Sequence, residues 1–163
     1  MIKRRVTTER LFVANRGEIA LRVIRAAHAK EIETVLGVSE ADRDSLAARE
    51  AGRVVVLGPA ASRDSYLNAA LVVHAAIETG CTSLHPGYGF LSERPELAEL
   101  CEDAGIVFIG PTGDVIRAVG DKLSAKKLAR SAQVPLTSGS DKVGNVAEAL
   151  SIAEDIGYPV ITK

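Results

Sequence analysis

The run His85-Pro86-Gly87-Tyr88-Gly89-Phe90-Leu91-Ser92-Glu93 stands between an apolar stretch ending at Leu84 and a charged, helix-like stretch that follows from Arg94 and carries Pro95 near its start. It therefore forms a loop between a strand and a helix. Two glycines two positions apart let the backbone fold tightly and come close to a ligand. Around them gather the His85 imidazole, the Tyr88 phenol and the Glu93 carboxylate, near the carboxyl end of a strand. In open α/β sheets, ligands bind at that edge. The same residues also fit a plain turn before a helix, with Tyr88 and Phe90 packed and Glu93 solvated, because Gly-x-Gly alone is a weak signal.

Outward from this loop, strand and helix patterns alternate. Leu11-Phe12-Val13-Ala14 is apolar without polar alternation, as in a strand covered on both faces of a parallel sheet. After Asn15-Arg16-Gly17-Glu18 a helix begins, with Ile19, Leu21, Val23, Ile24 and Ala27 crowding one side and Arg22, Arg25 and His28 nearer the other. Residues 32–38 read as a second strand, 40–51 as an alanine-rich helical stretch and 54–57 as a third strand. A turn-rich segment, 59–68, precedes a helix to about Glu78, and 81–84 reads as the fourth strand. Helix 95–103 and strand 106–109 complete the series. Such alternation predicts a doubly wound parallel α/β sheet, because each right-handed crossover needs a helix.

The pattern then changes. A short helix is expected over 114–119 and another over 122–132, which Asp121 can cap. Residues 135–144 read as a hinge or surface loop, 147–156 as a last helix, and Tyr158-Pro159-Val160-Ile161-Thr162-Lys163 as the start of a strand. An ending inside an apolar strand suggests truncation of a longer chain, since an unpaired edge invites association.

The chain has 163 residues, a net charge of −1 and mixed signs along its length. It is long enough to bury roughly two thirds of its unfolded surface. It carries no electrostatic footprint for nucleic acid or membrane, and no apolar run approaches the roughly 20 residues of a spanning helix. Lys3-Arg4-Arg5 is followed by polar Thr7-Thr8-Glu9, unlike a signal peptide. Cys81 and Cys101 have no CxxC or Cys/His cluster around them and read as core thiols in a reducing cytoplasm. His28, His74 and His85 lack metal-ligand spacing, and no bound zinc is expected.

Three familiar nucleotide or nucleophile motifs do not fit. A dinucleotide turn needs three glycines where Asn15-Arg16-Gly17-Glu18 supplies one; Gly120-Asp121-Lys122-Leu123-Ser124 is not a P-loop; and there is no G-x-S-x-G elbow. Lys122, after a helix cap, and Lys163, closing an apolar strand, each suit nucleotide phosphate, and each also suits solvated surface.

Taken together, Ala14-Asn15-Arg16-Gly17-Glu18-Ile19-Ala20, Gly58-Pro59-Ala60 with Ser65-Tyr66-Leu67-Asn68, His85 through Glu93, Phe108-Ile109-Gly110-Pro111, Gly120-Asp121-Lys122 and Tyr158-Pro159-Val160-Ile161 resemble the N-terminal part of biotin carboxylase. This is the ATP-using component of acetyl-CoA, propionyl-CoA and pyruvate carboxylases. The resemblance covers nearly the whole chain in the family's order. It implies a pre-ATP-grasp domain over 1–111, a helical connector over 112–134 and the truncated start of an ATP-grasp domain over 135–163. In the family, ATP with Mg2+ or Mn2+ and bicarbonate give carboxyphosphate, which carboxylates biotin borne on a carrier protein or domain, and a carboxyltransferase then passes the carboxyl group on. By motif, Lys122 and Lys163 match lysines that contact ATP, Tyr88 and Gly89 match positions on the biotin side, and Glu93 is a support from the same run. The glycine-rich lid, the metal-binding glutamates, and the base and arginine that act on bicarbonate and biotin match nothing up to Lys163. The resemblance thus implies no catalytic residue and no metal site within these residues, and no activity for them alone.

The chain departs from the family at Glu50-Ala51-Gly52-Arg53, where an acidic pair is common, and at Ser138, where proline is usual. On the first helix, Arg25 matches an arginine of the bacterial dimer contact, but Ala29 replaces its glutamate, which leaves a homodimer open. Two alternatives stand beside this one: the N-terminal part of pyruvate or urea carboxylase, and a non-catalytic binding or interaction module.

Overall fold

The computed structural model describes residues 8–137, 139, 140 and 143–161, with the side chains of Lys122 and Leu123 outside that description. The chain divides into two units, Met1–Arg117 and Ala118–Lys163.

In the first unit, strands β1 (Arg10–Val13), β2 (Glu33–Ser39), β3 (Arg53–Gly58), β4 (Ser83–His85) and β5 (Val107–Phe108) form one sheet in the order β3-β2-β1-β4-β5. Every pairing is parallel. Helices α1 (Gly17–His28), α2 (Leu46–Glu50), α3 (Ala69–Glu78) and α4 (Pro95–Asp103) supply the crossovers. Strand side chains alternate between faces, so β1 feeds two cores. Phe12 joins Val35, Leu84, Val72 and Leu97 on the face covered by α3 and α4. Leu11 and Val13 join Leu36, Val38, Ala20 and Ile24 under α1 and α2. With helices on both faces, the expected doubly wound α/β sheet is what the chain forms.

Two local features correct the sequence expectations. The helical stretch expected over 40–51 is a 3-10 turn, Glu40–Asp42, followed by a break and the short α2. The Asp42 carboxylate accepts from the Ser39 and Tyr66 hydroxyls, which offers this segment bonds a continuous helix would forgo. Ser45 then starts α2 afresh, its hydroxyl accepting from Ala48 N at 3.2 Å. The other correction is at 158–161, where no strand forms and Ile161 is 89% exposed. A ladder needs a partner, and the described residues of the second unit contain no strand. Thr162 lies outside the described residues.

Helix α5 (Gly113–Gly120) runs across the boundary between the units. In the second unit, α6 (Lys122–Ser131) is capped as expected, Asp121 accepting from Ser124 N at 2.7 Å. Asn145 caps α7 (Val146–Ile156) by accepting from Glu148 N at 2.9 Å.

Candidate functional site

The strand order reverses between β1 and β4, which are neighbours although about 70 residues separate them. At such a switch point the two connections diverge and leave a crevice beyond the carboxyl ends of the strands. Here those connections are Ala14-Asn15-Arg16 after β1 and the run from Pro86 to Glu93 after β4. They are tied together. Ala14 N donates to His85 O at 2.9 Å, and the fully buried Asn15 donates from Nδ2 to Pro86 O at 2.7 Å and to Tyr88 O at 2.9 Å.

His85 ends β4 instead of opening the loop. Its Nδ1 accepts from Gly87 N at 2.9 Å, so the ring proton sits on Nε2, and burial holds the imidazole below its ordinary pKa. Gly87 has φ +67°, and a Cβ there would lie 2.5 Å from Asn15 Nδ2 and 2.8 Å from Ile19 Cγ2. Only glycine fits. Gly89 also has a left-handed φ, +65°, yet its Cβ direction is open for 4 Å. Beside it the Tyr88 side chain is 66% exposed, and Glu93 is exposed too. The loop thus has a fixed inner edge, through Gly87 and the Tyr88 carbonyl, and an accessible outer edge formed by Tyr88, Gly89 and Glu93.

A second group of residues at the same edge includes Arg16 and Tyr66, which the sequence showed only within stretches that carry the resemblance, and Ser39 and Asp42, which it did not single out. Arg16 Nη2 pairs with Asp42 Oδ1 at 2.9 Å; Asp42 Oδ2 accepts from Tyr66 Oη at 2.7 Å; and Tyr66 Oη accepts from Ser39 N at 2.9 Å. The Tyr66 ring stacks on Phe90 with centroids 5.3 Å apart, and the Arg16 guanidinium lies 5.9 Å from the Tyr66 centroid. Burial pushes the Asp42 carboxyl up, but the Tyr66 and Ser39 hydrogen bonds and the Arg16 charge outweigh it and leave it below its usual value. Burial, then the bond to Asp42, raises the Tyr66 phenol. A tyrosine in a stretch full of turn residues gave no local hint of a partner 24 residues away.

Of the five residues singled out from sequence, the fold brings Tyr88, Gly89 and Glu93 together on one loop of the first unit. Lys122 is the first residue of α6 in the second unit, with its side chain outside the described residues, and Lys163 lies outside them altogether. Ser138 does as well. No group of three or more His, Cys, Asp or Glu side chains able to hold a metal occurs among the described residues. Arg25 is bound within its own chain, donating from Nε and Nη2 to the two Glu50 carboxylate oxygens at 2.8 and 2.7 Å.

Comparison with known proteins identifies the family. Residues 7–116 match the family described as biotin carboxylase, N-terminal domain, and residues 121–163 match the carbamoyl-phosphate synthase L chain ATP binding domain. The chain is 48% identical over 156 residues to biotin carboxylase 1 of Bacillus subtilis (strain 168), covering 95% of this chain and 35% of that protein. It is 47% identical over 155 residues to a pyruvate carboxylase subunit of Methanothermobacter thermautotrophicus, covering 94% of this chain and 32% of the other. Among solved structures, the biotin carboxylase domain dimer of Hydrogenobacter thermophilus 2-oxoglutarate carboxylase, in complex with MgADP, ADP and bicarbonate, superposes with a TM-score of 0.84 at 44% identity. That match covers 93% of this chain and 34% of the other. The chain therefore spans about a third of the length of these relatives.

Proposed function

The chain belongs to the biotin carboxylase N-terminal domain family, and from that premise we propose that it supplies the amino-terminal part of an ATP- and bicarbonate-dependent ligase that carboxylates biotin. One observation carries the proposal: the loop with Tyr88 and Gly89 is pinned at its inner edge by Asn15 and open at its outer edge, at the sheet's switch point. In this reading Tyr88 and Gly89 face the biotin ring and Glu93 supports them from the same connection. Lys122 and Lys163 are assigned to the ATP phosphates, where an ammonium group is a compact counter-charge. ATP with Mg2+ or Mn2+ supplies the phosphoryl group that activates bicarbonate, and the metal ligands and the base belong to sequence beyond Lys163. Catalysis then requires the remainder of the ATP-grasp domain, because these residues alone do not surround a transferring phosphoryl group with charge.

Residues 1–111 form the pre-ATP-grasp domain, 112–134 the connector and 135–163 the beginning of the ATP-grasp domain; the two family matches, over 7–116 and 121–163, support a change of domain near residue 120. The carboxyl group passes from biotin on a carrier protein or domain to a carboxyltransferase, and the enzyme works in the cytoplasm, where Cys81 and Cys101 stay reduced. An acetyl-CoA carboxylase serving fatty acid biosynthesis is one setting, and pyruvate carboxylase is another. Nearly equal identity to relatives named for different acceptors supports the reading that acceptor choice lies outside this segment.

The test is ADP release by the full-length enzyme carrying residues 1–163, with bicarbonate and with or without free biotin. Biotin-stimulated turnover by that enzyme, and none above background by the 163-residue chain, is the expected pair of results. Robust biotin-dependent turnover by the 163-residue chain, or none by the full-length enzyme, overturns the proposal. A non-catalytic module is excluded by the first result.

A further inference from the structure

Asn15 fixes the loop only as far as the Tyr88 carbonyl. Beyond it, Ser92 N donates to Gly89 O at 2.9 Å, and Phe90 takes φ +46°, a left-handed conformation that a bulky residue adopts only when its surroundings over-determine it. The surroundings in question are the Tyr66 ring, stacked on Phe90. Tyr66 is 3% exposed and held three ways: its hydroxyl donates to Asp42, it accepts from the Ser39 amide, and the Arg16 guanidinium lies near its ring. Arg16 follows β1, Ser39 ends β2 and Asp42 follows it, Tyr66 follows β3 and Phe90 follows β4. Four connections thus converge on one ring.

We propose that Tyr66 is a positioning residue: through Phe90 it sets the height and tilt at which Gly89 and Tyr88 are offered to biotin. This rests on the biotin-side role proposed above for those two residues. Removing the hydroxyl in Tyr66→Phe keeps the ring's volume but strips Asp42 of a donor and leaves the buried Ser39 amide without its acceptor. The ring then shifts, and Phe90 relaxes from its strained backbone and carries Gly89 with it. Phe90→Gly removes the stack and relieves the positive φ, which offsets part of the packing lost against the core, while releasing the loop.

The experiment measures steady-state kinetics of the full-length enzyme with free biotin as the probe, alongside the KM for ATP. Tyr66→Phe and Phe90→Gly are each expected to raise the KM for biotin about five- to tenfold, with kcat at saturating biotin and the KM for ATP changed less than about twofold. Phe90→Tyr keeps the stack and is expected to return the unmodified KM. The double variant is expected to be no worse than the poorer single one, because both act through one contact. In the 163-residue chain, amide resonances report the same clasp without turnover: Tyr66→Phe shifts Gly89 and Phe90 but not Gly87, which Asn15 and His85 hold. An unmoved Gly89 amide, an unchanged KM for biotin, or losses shared equally by biotin, ATP and kcat overturn the inference. Absence of biotin-dependent turnover in the unmodified full-length enzyme overturns instead the function on which it rests.

Discussion

Gly87 and Gly89 are two residues apart and share nearly the same φ, +67° and +65°, so alanine at either position meets the same backbone penalty. That penalty is about 1–2 kcal/mol for a left-handed residue with a Cβ. Their surroundings differ. At Gly89 the new methyl meets nothing within 4 Å, whereas at Gly87 it lies 2.5 Å from Asn15 Nδ2 and must push that amide off the carbonyls of Pro86 and Tyr88. Leaving a buried amide without partners costs about 1–3 kcal/mol more. Gly87→Ala is therefore expected to destabilise by about 2–5 kcal/mol and Gly89→Ala by about 1–2 kcal/mol. Urea unfolding followed by far-UV circular dichroism measures both, and the melting temperature follows at about 2–4 °C per kcal/mol for a chain of this size. In an Asn15→Ala background, where the clashing amide is gone, most of the excess at Gly87 is expected to vanish, leaving the backbone penalty and the Ile19 contact. Equal costs at the two glycines, or an excess that survives Asn15→Ala, would refute the close approach of the two loops as the reason for Gly87.

The remaining predictions concern titration and burial. His85 has a pKa depressed below 6.5 in the fold, so the unfolded chain takes up the proton first as pH falls; its contribution is whole above the unfolded value and is lost as pH drops through the folded one. Melting temperature is expected to fall between about pH 8 and pH 5, and less so in His85→Asn, whose amide oxygen can accept from Gly87 N without titrating; an identical slope in the variant refutes this. Burial raises the Cys81 thiol and pushes Cys101 up to about 12, so neither is expected to react with a thiol reagent until urea unfolds the chain; prompt labelling of Cys101 in the native protein counts against the packing of α4, and of Cys81 against that of the connection into β4. The Arg25–Glu50 pair is solvent-exposed, so Arg25→Ala is expected to leave the melting temperature unchanged at physiological salt; a marked drop would make the pair structural.

What the sequence made legible was whatever repeats within a few residues. An apolar run without polar alternation marked β1; a charged, helix-like run and Pro95 marked α4 over its full extent; Asp121 marked the start of α6. Residues 40–51 defeated the same reasoning because the side chain that decides their path, Asp42, is committed to Tyr66, 24 residues further on. Asn15 was visible as part of a glycine-poor turn and of a stretch carrying the resemblance, but its role was not, since its two acceptors lie 71 and 73 residues away.

These failures have a common origin in the topology. Where strand order reverses, the connections that meet at the crevice come from distant parts of the chain, so Gly89 shares no short window of sequence with Asn15 or Tyr66. Tyr88 and Gly89 could be found as a motif because left-handed backbone at both glycines, and close approach at Gly87, leave a local mark, glycine. Asn15, Arg16, Asp42 and Tyr66 leave none, because each is an ordinary residue for the turn in which it stands. The loop's geometry is therefore a property of four connections at once. A change at any one of them is expected to reach Gly89 without touching the motif itself.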